Sequence, residues 1–308
     1  MRLFLLPFAL LMLLLAACSG DDGDSDKPNV VAITTQIGDF AKNVGGDRID
    51  LTVLLKPNQD AHDFDFEPSQ LRDIAGADLI LRNGLGLDDF LDDALENTDA
   101  PVAIVSDGAA LREGSHDHEE GDDEEEHEGH GTDPHVWLSV DNARVMVENV
   151  RDALIDLDSA NADYYRDNAT RYLGTLDALD RDIQTQVQSI PPACRKLVTN
   201  HEVLGYFAEA YGFELVGSVI PSTVTDAQPS AADVADIVRK IRDEDVPAIF
   251  AESSANPALV QQVAREAGIK VVDDLYGDSL GPASSPGGTY EGMMRENTRN
   301  IVEALKAC

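Results

Sequence analysis

The chain has 308 residues, 43% of them hydrophobic, with 58 acidic against 23 basic side chains and a net charge of -35. That length accommodates two ordinary domains with sizeable cores. The charge excludes a nucleic-acid partner, because there is no basic stripe to neutralise phosphates.

The N-terminus comes first. Arg2 is the only charged side chain in the first twenty residues, and an apolar run from Leu3 to Ala17 follows it, interrupted only by Pro7. The run is short for a membrane span and fits the apolar region of a secretory signal, so residues 1–17 are expected to be a signal peptide. It ends Leu15-Ala16-Ala17-Cys18, which resembles a bacterial lipobox and implies lipidation of Cys18. Plain signal cleavage with an incidental cysteine is the alternative. Residues 18–28, including Ser19 to Lys27 (SGDDGDSDK), read as a solvated acidic tether.

Strands and helices then alternate. Asn29–Thr35, Ile49–Leu55, Asp78–Arg82 and Val102–Val105 are short apolar or β-branched runs that read as strands. Asp39–Val44, Glu67–Ala75 and Leu87–Asn97 read as helices, the second opened by Pro68 and closed by Gly76. This is a βαβ rhythm with a parallel sheet, and residues 29–157 are assigned to an N-terminal α/β lobe.

Residues 113–133 break the rhythm. The stretch Gly114–Gly131 (GSHDHEEGDDEEEHEGHG) carries four histidines and no strongly apolar residue. It cannot form a core. His116, His118, His127 and His130 form an auxiliary, weakly binding metal loop; a functionless solvated insert is the alternative.

From Val140 to Ile190 there is no proline. Apolar residues recur at helical spacing, with a break and cap expected at Asp158-Ser159. The second helix of this pair would run about 30 residues, or roughly 45 Å, and Pro191-Pro192 ends it. Residues 158–190 are read as a rigid connector; two surface helices of one lobe are the alternative.

Residues 191–308 repeat the α/β pattern. Strands are expected at Lys196–Thr199, Glu214–Ile220, Ala248–Glu252 and Lys270–Val272. Helices are expected at His201–Tyr211, Ser230–Glu244, Pro257–Gly268 and Glu291–Lys306. The fold class is therefore α/β: two lobes, each a small mainly parallel sheet with flanking helices, bridged by a long helix.

Four side chains stand out as metal ligands: His62, His135, His201 and Asp278. Ligand sites in such sheets lie beyond the carboxyl ends of the strands. His62, His201 and Asp278 each follow an expected strand, and His135 precedes a helix, so all four can face one cleft. Of the seven histidines, three are these candidates and four lie in the acidic tract. Three imidazoles and a carboxylate close a tetrahedron around Zn²⁺ and leave no position for a reacting water. Asp273 and Asp274 follow the same strand as Asp278 and compete with it. Glu202 and Glu252 stand near strand ends, as orienting partners for an imidazole or as solvated acids.

Cys194 and Cys308 remain as the one available pair. A disulfide is the expectation in an oxidising compartment, and two buried thiols the alternative. The sequence has no HExxH. Its one GxSxG, Gly277-Asp278-Ser279-Leu280-Gly281, is followed by a proline-containing loop, and no histidine occurs after His201 to serve as a triad base. A zinc-dependent hydrolase and a structural surface protein are the rival classes. No catalytic residue is assigned.

The lipobox, HDFDFEPSQLRDIAGADLIL, DPHVWLS, VTNHEVLGYFAEAYG, FAESSANP and LYGDSLG occur in this order across most of the mature chain. Together they resemble the zinc- and manganese-specific solute-binding lipoproteins of ABC importers, the cluster A-I binding proteins. The resemblance implies two lobes bridged by a long helix and the ligand set His62, His135, His201 and Asp278. It implies capture of Zn²⁺, since histidine at the third ligand position and a His-rich loop resemble zinc members; Mn²⁺ is the alternative. It also implies a metal-ion ABC permease as partner, an extracytoplasmic location with a lipid anchor in the cell membrane, and a monomer. HDFDFEP carries two residues more than the compact HxFEP form of the family.

Overall fold

The computed structural model describes residues 27–62, 64, 67–96, 98–114, 131–225, 229–253, 257–306 and 308. Cys18 and the histidines at 116, 118, 127 and 130 lie outside them, as does most of the HDFDFEP extension.

Two four-stranded parallel sheets organise the chain. The first contains β1 (Asn29–Ala32), β2 (Asp50–Val53), β3 (Leu79–Arg82) and β4 (Val102–Ile104), in the order β2-β1-β3-β4. Val30 pairs with Leu51 on one side and Leu79 on the other. The second contains β5 (Lys196–Thr199), β6 (Glu214–Ser218), β7 (Ala248–Glu252) and β8 (Lys270–Leu275), in the order β6-β5-β7-β8. Each half thus repeats the same permutation. In each, the chain changes direction across the sheet between its first and third strands, and the crevice outside those strand ends is where such sheets bind ligands.

The flanking helices are α1 (Thr35–Gly45), α2 (Pro68–Ala75), the single turn α3 (Asp92–Leu95), α4 (Val140–Leu157), α5 (Ala162–Val187), α6 (Gly205–Tyr211), α7 (Ala231–Asp243), α8 (Pro257–Ala267) and α9 (Tyr290–Leu305). Their starts follow ordinary capping chemistry. Ser139 accepts the Asn142 N–H at 3.4 Å and Thr289 the Gly292 N–H at 3.1 Å, while Ser230 and Asp233 form a reciprocal capping box.

Helix α5 has 26 residues, a length of roughly 39 Å. Its first half is tied to α1: Asn168 donates to the Val44 carbonyl at 2.9 Å and the Tyr172 hydroxyl to Asp39 at 3.0 Å. Its second half is tied to the other lobe: the Tyr211 hydroxyl of α6 donates to Asp180 at 3.0 Å, and Arg295 of α9 pairs with Asp182. One continuous apolar core follows this helix, from Val30 and Ile80 in the first sheet to Leu197 and Phe250 in the second. A smaller core, including Ile237, Ile241, Ile249 and Val263, lies beneath α7 and α8. Cys194 and Cys308 form a disulfide with Cα atoms 6.0 Å apart, closing the second lobe from the entry of β5 to the chain end.

Strands β1, β2 and β6 and helix α5 end a few residues short of their sequence expectation, and two helices are cut back for a specific reason. Leu87–Asn97 yields only a 3-10 turn and α3, because the buried Asp88 carboxylate accepts the N–H groups of Asn83 at 2.6 Å and Gly84 at 3.0 Å and folds the segment back. The helix expected from His201 starts at Gly205. The His201 carbonyl is occupied by the Thr199 hydroxyl and, at 2.9 Å, by the Val203 N–H, a tight turn that displaces the first helical bonds.

Candidate metal centre

The carboxyl ends of the two sheets face each other, and the four sequence candidates meet there. His62 follows β2 in a loop where its N–H donates to Asp60 Oδ1 at 2.8 Å. His135 sits between Pro134 and a 3-10 turn, Val136–Leu138, that leads into α4. The Pro134 carbonyl accepts from Asn83 at the end of β3, at 3.1 Å. His201 leaves the end of β5, and Asp278 lies in the loop after β8.

The Nε2 atoms converge. His62 Nε2 is 3.2 Å from His135 Nε2, which is 3.4 Å from His201 Nε2. Asp278 Oδ1 lies 3.2 Å from His135 Nε2 and 3.7 Å from those of His62 and His201. One donor atom from each residue falls within 4.8 Å of every other. His135, His201 and Asp278 are fully buried, and the His62 side chain is 4% exposed. Both carboxylate oxygens of Asp278 are buried without a hydrogen-bond partner. Buried carboxylates are costly unless compensated. A cation among the four groups would supply the missing compensation.

Each buried ring is held from behind. His135 Nδ1 is 2.7 Å from Asp133 Oδ1, which also accepts the His135 N–H at 3.0 Å. Asp133 Oδ2 in turn meets Arg112 at 2.6 Å. His201 Nδ1 is 3.0 Å from Glu252 Oε2. A carboxylate on Nδ1 fixes the tautomer that presents an Nε2 lone pair to a metal. Without a cation, those lone pairs face one another and the Asp278 carboxylate, so the empty site attracts protons. Burial alone would lower the imidazole pKa values, but Asp133 overrides it and raises His135 to about 9, while Asp278 and Glu252 raise His201 well above its ordinary value. Burial opposes the ionisation of Asp278, yet His201 and His62 hold it well below the usual carboxylate range.

The competing acids separate cleanly. Asp273 and Asp274 are exposed on β8, whereas Asp278 is buried. Glu252 holds the His201 ring, whereas among the described residues the Glu202 carboxylate makes no hydrogen bond to the cluster; its N–H donates to the Ser222 carbonyl at 2.9 Å. Asp133 escaped sequence reasoning, although an acid two residues before a ligating histidine was the available signal. The GxSxG segment lies in the loop between β8 and α9, with no helix following until Tyr290. A nucleophile elbow needs a strand running directly into a helix.

A two-lobed parallel α/β fold with a closed cluster of three imidazoles and a carboxylate between its sheets defines a solute-binding protein for divalent metal ions. Residues 30–304 match the family described as zinc-uptake complex component A periplasmic (ZnuA), and the chain belongs to that family of ABC-importer substrate-binding proteins, which are not enzymes. It is 32% identical over 302 residues to the manganese-binding lipoprotein MntA of Halalkalibacterium halodurans, covering 95% of each chain. The fold matches the periplasmic zinc-binding protein TroA of Treponema pallidum with a TM-score of 0.81 and 29% identity, over 91% of this chain and 99% of that one. It also matches a Mn-bound periplasmic metal-binding protein from Candidatus Liberibacter asiaticus, with a TM-score of 0.78 and 28% identity over 90% of this chain and 98% of the other.

Proposed function

We propose that the chain captures Zn²⁺ outside the cytoplasm through His62, His135, His201 and Asp278 and delivers it to an ABC permease. The unpartnered, buried Asp278 carboxylate among three Nε2 atoms carries this reading. The donor set favours zinc: imidazole suits zinc, whereas manganese prefers carboxylate, carbonyl and water oxygens. The spacing agrees. A tetrahedron with bonds of about 2.0–2.1 Å has edges of about 3.3–3.4 Å; five of the six donor separations are 3.2–3.7 Å, and the sixth, between His62 and His201, lies within 4.8 Å.

The names of several relatives favour Mn²⁺ as a second reading. Zinc binds more tightly than manganese to almost any such site, so relative affinity alone does not separate the two. The ion whose cellular uptake depends on the chain does. Zinc uptake lost on deleting the chain supports the first reading; manganese uptake lost with zinc uptake intact overturns it.

Residues 29–157 and 191–308 act as lobes about the connector 158–190. Cys18 carries a lipid anchor after removal of residues 1–17, and the chain works as a monomer at the membrane surface. The histidines at 116, 118, 127 and 130 bind additional zinc weakly.

A further inference from the structure

We infer that Glu252 is the positioning residue that fixes His201 and Asp278 as a pair of ligands, an inference that rests on the cluster being the metal site. Glu252 ends β7 and is 4% exposed. Its two oxygens do different work. Oε2 lies 3.0 Å from His201 Nδ1, and Oε1 accepts the backbone N–H of Asp278 at 2.8 Å. One carboxylate therefore bridges ligands from two separate loops.

Only a carboxylate serves both ends. Asn200 Nδ2 lies 2.9 Å from the same His201 Nδ1 and 3.1 Å from Glu252 Oε2. The amide of Asn200 favours a lone pair on Nδ1, which would put the proton on Nε2, facing the cluster. Glu252 favours the proton on Nδ1 and leaves Nε2 free for metal. A charged acceptor makes the stronger hydrogen bond, so the carboxylate decides the tautomer. Glutamine in its place has one acceptor and one donor. With its oxygen on the Asp278 N–H, its amino group faces His201 Nδ1 and reinforces the wrong tautomer. With its oxygen on His201, its amino group faces the Asp278 N–H.

The neighbouring backbone is shaped around this carboxylate. A Cβ on Gly277 would collide with Glu252 Oε1 and Cδ and with Val203 Cγ2. The Gly277 carbonyl meanwhile accepts from Gln36 Nε2 at 2.9 Å and Trp137 Nε1 at 3.0 Å, both from the first lobe. Glu252 thus joins the second sheet to a loop fastened to the other lobe.

The test uses the full mature chain with zinc and cobalt(II) as probes. E252Q is expected to weaken zinc binding about 10–100-fold. It should alter the visible spectrum of the cobalt-loaded protein and abolish the downfield Nδ1 proton of His201 in the zinc-loaded protein, while that of His135, held by Asp133, persists. D273N, on the exposed strand, serves as the control. Should E252Q lower the metal-free melting temperature, a second comparison separates positioning from folding: G277A should weaken zinc strongly in the wild type and much less in an E252A background. Equal zinc affinity and an unchanged cobalt spectrum in E252Q, or fully additive effects of G277A and E252A, overturn the inference alone. A wild-type chain that takes up neither ion overturns the proposed function and the inference with it.

Discussion

Trp137 Nε1 donates to the Gly277 carbonyl at 3.0 Å, fastening the loop that carries Asp278 to the segment that carries His135. Both residues are buried, so the bond lies where water cannot replace it. Trp137 is held in turn by the Tyr290 hydroxyl, which donates to its carbonyl at 2.7 Å. The ligand-bearing loops of the two halves therefore share a polar scaffold.

Trp137→Phe removes one of the two donors on that carbonyl and part of a buried ring. It should lower unfolding stability by about 1–3 kcal/mol and speed metal dissociation, with Gln36 retaining the loop in place. Chemical denaturation and stopped-flow chelator exchange measure the two effects. An unchanged dissociation rate with lowered stability would confine the bond to a folding role.

Removing ligands should be far more damaging than removing their supports. His135→Ala, His201→Ala or Asp278→Ala each opens a closed shell, and the loss should exceed the roughly 10–100-fold typical of an outer-shell change. Asp133→Asn should fall within that lower range, because it leaves His135 in place but weakens the bond that orients it. Isothermal or competition titration ranks the set. A triple alanine variant of His62, His135 and His201 that still holds one tight zinc would refute the ligand assignment.

The strand–helix alternation, the two lobes and the long helix were legible because apolar periodicity reports burial directly. The histidines were legible because none of the seven had an ordinary role left to fill. The choice among Asp273, Asp274 and Asp278 was not. β8 continues to Leu275, three residues past the apolar run, and carries Asp273 and Asp274 outward on an edge strand. No local pattern reveals that extension, since it depends on pairing with β7 across a register shift between Phe250 and Glu252. The role of Asp133 was hidden, and the choice of Glu252 over Glu202 left open, for a related reason. An orienting carboxylate is defined by what it touches, and its partner in one case lies 51 residues away in sequence, at His201.

The disulfide should support the fold and leave the site alone. Cys194 and Cys308 are separated by 114 residues and join the start of β5 to the end of the chain, away from the ligand-bearing ends of the strands. Replacing both by serine should cost about 2–5 kcal/mol with metal affinity preserved. Thermal melts of oxidised, reduced and double-serine protein test the first statement, and zinc titration tests the second. A parallel loss of affinity would mean that the second lobe's sheet needs the bridge to align His201.

Deleting the acidic loop should be neutral for the tight site. Its base is already closed: Gly114 N–H donates to the Gly131 carbonyl at 2.9 Å, and Glu113 and Thr132 form an antiparallel bridge. A short glycine turn can therefore replace residues 115–130 between Gly114 and Gly131 without moving Arg112 or Asp133. One high-affinity zinc should remain, and only weaker, additional zinc should disappear. Loss of the tight site on deletion would place primary ligands in the loop.

Acid should stabilise the metal-free protein and leave the metal-loaded protein's melting temperature unchanged across the window in which the cluster histidines titrate. The folded-state pKa of His135 is raised from 6.5 to about 9 by Asp133 and Asp278 despite burial. A raised pKa gives the metal-free fold a stabilisation that is complete below the ordinary imidazole value and is lost as pH rises through the folded value. His201 shifts in the same direction. The metal-free protein should therefore lose melting temperature between about pH 6.5 and pH 9. Metal binding releases those protons and replaces them as the positive charge at the cluster. The metal-loaded protein should hold its melting temperature over the same window, so the zinc-induced shift should widen as pH rises and shrink towards mildly acidic pH. Differential scanning calorimetry of both forms across this range measures it. A zinc-induced shift that is constant with pH would show that the bound ion displaces no protons, which a site built on His135 and His201 does not allow.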